Sequence, residues 1–213
     1  MANPIQAGSA SGPLVLADIS GYTGLLQAVT EAHRDDAFAD GRVPDAYGLV
    51  ASLLDGIIER IVPPFTLSKL EGDAVFAFAR DDDENVPRGA ALLDCMAACY
   101  AAFRGRLASA RQVWTCRCNA CSRVDGIELK FVLHAGSYVV QPIGGALELV
   151  GSEVVMAHRL LKNHAAELLG HGAYALITEA AAQRLAVPAT GAHELTESYE
   201  HYPPIAARVY PLR

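Results

Sequence analysis

The chain has 213 residues, 52% hydrophobic and 19% charged, so it holds the material for one sizeable core and is not a disordered segment. Its net charge of −7 argues against a protein whose main task is gripping the phosphate backbone of nucleic acid, which usually shows the opposite balance, although one local pocket can still be basic. The run 131–147, one of the two longest free of Asp, Glu, Lys and Arg, contains His134, Gly136 and Pro142 and alternates as strands do, so no membrane span is expected.

Residues 1–12 are small and polar and read as a flexible lead-in to a single domain over 13–213. No positive side chain precedes Arg34, which argues against a secretory leader and for a cytoplasmic location. Residues 13–17 form an apolar run ending at Asp18 and predict a buried strand. A turn over 19–23 opens a helix to about residue 32, and the charged stretch 33–45, with Gly41 and Pro44, reads as a loop. Leu49, Val50, Leu53, Leu54, Ile57, Ile58 and Ile61 recur at helical spacing until Pro63-Pro64 stops the helix. Residues 65–70 and 74–79 predict a β-hairpin with Gly72 in its turn. Residues 86–107 are alanine-rich and helical, and 108–126 form an irregular, Cys-rich insert. A strand pair is expected at 127–135 and 138–143, then a helix over 151–164 and a strand over 173–177. A short helix capped by Thr178 and two strands, at 193–198 and 206–210, complete the chain. Strands outnumber a simple βαβ alternation. The order predicts an α+β fold of ferredoxin-like, palm type: a mainly antiparallel sheet with helices packed on one face.

Two carboxylates occupy unusual places. Asp18 ends the first strand, and Asp73 sits in the hairpin turn. If those edges are neighbours, both side chains can face one divalent ion, and Mg²⁺ favours one or two carboxylates together with phosphate oxygens. A turn at Gly21 would let backbone N–H groups approach phosphates. The plainer alternative makes Asp18 a helix cap and Asp73 an ordinary turn residue.

Four stretches carry a resemblance. Leu16-Ala17-Asp18-Ile19-Ser20-Gly21-Tyr22-Thr23 resembles the first metal-binding motif of the class III adenylate and guanylate cyclases. Lys69-Leu70-Glu71-Gly72-Asp73-Ala74-Val75 resembles the second, Leu129 to Gly136 a later strand, and Val150 to Arg159 the last catalytic helix. An uncharacterised bacterial branch of cyclase-like proteins is closer still. It shares the Cys-x-Cys-x-x-Cys segment, here Cys116 to Cys121, and the His-Arg-Leu-Leu-Lys-Asn helix, here His158 to Asn163.

The resemblance implies a homodimer with two composite sites at its interface. It implies that Asp18 and Asp73, with the Ile19 carbonyl, bind two Mg²⁺ or Mn²⁺ ions. These would activate a ribose hydroxyl for attack on the α-phosphate of a nucleoside triphosphate. Gly21 and Thr23 fall on the phosphate side, and Arg159 matches the arginine that steadies the phosphates. Lys69 and Glu148 fall where such cyclases read the base. A lysine donates to adenine N1 and a carboxylate accepts from the adenine amino group, so ATP is favoured. The alternative is a plain surface ion pair.

The chain departs from that pattern at two places. Val155 stands where active cyclases carry a ribose-orienting asparagine, and no lysine follows Lys162 to reach the triphosphate. Losing such donors costs about 10²–10³ in rate each. Lys162 and Asn163, three and four residues past Arg159, would share its helix face and could substitute; Lys162 could equally serve only the helix dipole. The leading expectation is an ATP-binding, cyclic-AMP-forming domain. The alternative is a nucleotide- or metal-sensing domain without turnover.

Cys116, Cys118 and Cys121 suit zinc but leave the ion one ligand short. Cys95, Cys99, His134 or a residue of a second copy are the candidates for the fourth. Reduced, ligand-free thiols are the alternative. His33, His164, His171, His193 and His201 show no ligand-like spacing and read as surface or core residues.

Overall fold

The computed structural model describes residues 7–37, 45–114, 116 and 118–213. The strands are β1 (Gly8–Ser20), β2 (Thr66–Glu71), β3 (Ala74–Phe78), β4 (Glu128–Ile143), β5 (Ala146–Val150), β6 (Tyr174–Thr178), β7 (His193–Glu197) and β8 (Ile205–Pro211). The helices are α1 (Tyr22–Ala32), α2 (Arg34–Ala37), α3 (Asp45–Ile61), α4 (Ala90–Val113), α5 (Asn119–Ser122), α6 (Ser152–Arg159), α7 (Ala165–Leu169) and α8 (Glu179–Arg184). The strands form one sheet in the order β2-β3-β1-β4-β6-β8-β7, with β5 paired to the far end of β4. Every pairing is antiparallel except β4 with β6. The α+β, mainly antiparallel sheet therefore stands as expected.

Helices cover both faces of the sheet, not one. Side chains alternate across a strand, and β1 is buried on both sides. Val15, Ala17 and Ile19 face a core built with α1, α3, α4 and α8, including Leu25, Leu53, Ile57, Phe103 and Leu185. Leu14 and Leu16 face a second core built with α6 and α7, including Met156, Ala157, Leu160 and Ala165. A continuous apolar run at 13–17 is the signature of such a strand, so one-sided packing was the wrong inference from it.

The α3 stripe and the β2–β3 hairpin form where the periodicity places them. Several boundaries differ. β1 begins at Gly8, because the lead-in pairs with β4 from Gly8↔Val140 onward; residues 1–6 lie outside those described. β4 runs unbroken through Gly136 instead of turning there. Gly12 and Gly136 are register partners, and each lies where a side chain would collide: a Cβ on Gly12 would stand 2.0 Å from the Ala79 carbonyl oxygen. The hairpin turn comes later, at Gly144 and Gly145, both with positive φ, and adds β5. α4 extends to Val113, into the stretch read as irregular, leaving α5 and a 3-10 turn (Arg123–Gly126) to lead into β4. Among the described residues no helix is long and apolar enough to cross a membrane.

Candidate functional site

The end of β1 and the β2–β3 turn meet because β1 pairs with β3 as far as Asp18↔Ala74. The Ile19 N–H donates to the Asp73 carbonyl oxygen at 3.1 Å, closing the two edges together. Asp18 and Asp73 thus share one corner of the sheet. Burial raises the Asp73 pKa, and the Asp18 charge raises it further; Lys130 acts in the opposite direction. Two half-buried carboxylates that repel each other and offer hard oxygen ligands suit a divalent cation such as Mg²⁺ or Mn²⁺. Tyr22 borders this corner, and its phenol is raised by burial and then by Asp73.

Gly21 links β1 to α1 with φ of 84°, a conformation open to glycine at little cost, and no side chain caps α1. The exposed Thr23 lies in the first turn of this helix, whose N–H groups are free of side-chain capping. Such an end favours an anion.

Lys130 is a member of the corner that the sequence did not point to. It lies opposite Asp18 in the β1–β4 register. Its Nζ sits 2.9 Å from Asp18 Oδ2 and donates to the Leu161 carbonyl oxygen at 3.2 Å. It therefore ties Asp18 to the turn after α6. A lone lysine inside the apolar run 129–135 was the available signal.

Lys69 and Glu148, on β2 and β5, pair at 2.5 Å, and Glu71 lies 3.7 Å from the same ammonium. The hydrogen bond to Glu148 is the largest cause of the raised Lys69 pKa. Glu71 also lies 2.7 Å from His158 Nε2, which joins β2 to α6. Arg159 ends α6; it donates to the Glu200 carbonyl oxygen at 3.0 Å and lies over the Tyr202 ring.

The shared helix face expected for Arg159, Lys162 and Asn163 does not form, because α6 stops at Arg159. Lys162 is exposed beyond it. Asn163 is spent on the backbone: its Nδ2 donates to the Leu160 carbonyl, and its Oδ1 accepts from the Ala165 N–H and the Tyr174 hydroxyl. It holds the turn into α7 and is not free to orient a ribose. Val155 is exposed on α6.

The cysteine segment forms a second cluster. Cys116, Cys118 and Cys121 Sγ lie 3.6, 3.4 and 3.3 Å from His33 Nε2, just past the end of α1. The fourth member is thus His33, which spacing had set aside, because only folding brings α1 onto α5. The three candidates within the chain are placed otherwise. His134 is buried between Thr178 and Glu153. Cys99 is buried, which pushes its thiol up to about 12. Cys95 is directed at the Arg60 carbonyl.

This sheet, with helices on both faces, has a fold similar to that of solved adenylyl and guanylyl cyclases. The adenylyl cyclase CyaB from P. aeruginosa matches with a TM-score of 0.65 and 16% identity, over 98% of each chain. The guanylyl cyclase Cya2 matches with a TM-score of 0.60 and 13% identity, over 96% of this chain and 93% of its own. By sequence, residues 50–168 match the family described as "Protein of unknown function (DUF2652)", and the chain belongs to that family. A relative in Mycobacterium tuberculosis (strain ATCC 25618 / H37Rv), "Uncharacterized protein Rv2561/Rv2562", is 30% identical over 170 residues, 76% of each chain.

Proposed function

We propose that this protein binds a nucleoside triphosphate, ATP in preference, at the Asp18–Asp73 corner, and converts it to cyclic AMP and pyrophosphate. The observation that carries the reading is the pairing of two half-buried carboxylates at one sheet corner, in a fold shared with adenylyl cyclases. Asp18, Asp73 and the Ile19 carbonyl would hold Mg²⁺ or Mn²⁺. Such ions lower the pKa of the attacking hydroxyl and screen the triphosphate charge.

The chain's own groups have defined tasks. The first turn of α1, with Gly21 and Thr23, receives phosphate oxygens. Lys69 has three ammonium protons, and pairing with Glu148 and Glu71 leaves one to donate to adenine N1. Glu148 keeps a carboxylate oxygen to accept from the adenine amino group. Arg159, released from the Glu200 carbonyl, supplies charge to the phosphates. Two copies of the chain would complete the sites. The exposed Leu70, Val139, Leu147 and Val155 offer apolar area for that contact.

A second reading, binding without turnover, is supported by Val155, by Asn163 being held by backbone partners and by the Arg159 contacts with Glu200 and Tyr202. Incubation with each of the four nucleoside triphosphates and Mn²⁺, followed by mass spectrometry, separates the two. Cyclic AMP that disappears in Asp73→Ala establishes the enzyme. Tight ATP binding without product establishes the sensor. Absence of both binding and product refutes the nucleotide reading.

A further inference from the structure

We infer that His33, Cys116, Cys118 and Cys121 form a structural zinc centre that fastens the end of α1 to the segment leading into β4. This inference is independent of the nucleotide reading. The four candidate ligand atoms all lie within 4.8 Å of one another. Their arrangement has a specific chemical difficulty without an ion. A neutral imidazole nitrogen carries either one proton or one lone pair, so Nε2 can serve one thiol. Here three sulfurs surround it at 3.3–3.6 Å. One cation at the centre satisfies all four atoms together.

The dimensions select the ion. Zn–S bonds of about 2.3 Å and a Zn–N bond of about 2.0–2.1 Å, at tetrahedral angles, give S···N edges of about 3.5 Å. The three observed edges bracket that value. Three thiolates and one imidazole are a closed ligand set of the structural type, leaving no open position for a reacting water. The centre also has a mechanical task. The Cys segment contributes few apolar anchors, Cys121 and Val124 among them, while α1 packs on α5. An ion shared between His33 and the three thiols would fix that contact by coordination.

The test uses the full chain. After desalting, elemental analysis should find about one zinc per chain, and zinc-edge absorption should show three sulfur neighbours and one nitrogen at about the distances above. His33→Ala should weaken zinc binding by about a hundredfold or more, beyond the 10–100-fold typical of losing a mere supporting partner. His33→Cys should keep the metal with a four-sulfur shell, which preserves the test if His33→Ala fails to fold. Chelation should speed hydrogen exchange in α1 and over 118–126 while leaving β6 and β8 protected. A folded protein without zinc, a different bound metal, a wild-type shell lacking nitrogen, or unchanged affinity in His33→Ala overturns the assignment. So does a disulfide among the three cysteines in protein purified under reducing conditions.

Discussion

Lys130 shows how one side chain can set the character of a site. It faces Asp18 at 2.9 Å, both are mostly buried, and it offsets the repulsion between Asp18 and Asp73. Removing one member of a buried pair leaves the other uncompensated, whereas an exposed pair contributes little. This pair is intermediate, so Lys130→Met should destabilise the metal-free protein by about 1–3 kcal/mol, read by urea unfolding. An unchanged midpoint would show that solvent already screens the pair. His164 behaves differently. Glu197, buried on β7, accepts from its ring and, with Glu167 of α7, raises its pKa above the ordinary 6.5. The folded state then holds the proton more tightly than the unfolded chain. Stability from this contact is complete below pH 6.5 and is lost as pH rises through the raised value. Unfolding curves between pH 5.5 and 8.5 should show this loss, and His164→Gln should flatten the difference.

At the scale of elements, the β1–β4 pairing organises the molecule, and two glycines permit it. A Cβ on Gly12 meets the Ala79 backbone oxygen, which cannot swing aside, while one on Gly136 meets Cγ and Cβ of Glu153, a side chain that can give way only by straining its bond to His134. Gly12→Ala should therefore cost about 1–3 kcal/mol as overpacking, and Gly136→Ala less, measured by thermal or urea unfolding. Equal costs would show that β1 shifts freely against β3. Strand and helix periods were readable for α3, for the hairpin and for β6, where apolar spacing repeats cleanly. The ends of α4 and α6 were not. Alanine continues a helix without marking its end, and α6 stops where Asn163 diverts the backbone into α7.

At the scale of the whole molecule, several large apolar side chains stay exposed among the described residues, with Val155 on the outer face of α6. If this is the face used by a second copy, Val155→Asp should shift the chain towards monomer in sedimentation and lower any nucleotide turnover with it. Unchanged association would move the interface elsewhere. That Asp18 ends a strand and Asp73 sits in a hairpin turn was legible in the sequence, because both are local features; that the two edges meet follows from the β1–β3 pairing. Lys130 opposite Asp18, His33 beside three cysteines and Asn163 under Tyr174 were not, since each depends on partners far apart in the chain. By itself, the sequence determined which residues could carry oxygen, nitrogen and sulfur ligands, and the periods that build the sheet. The tertiary structure alone decided which of them meet. Local spacing encodes an element, but a site is assembled by sheet register and helix packing, and these arise only when both cores close.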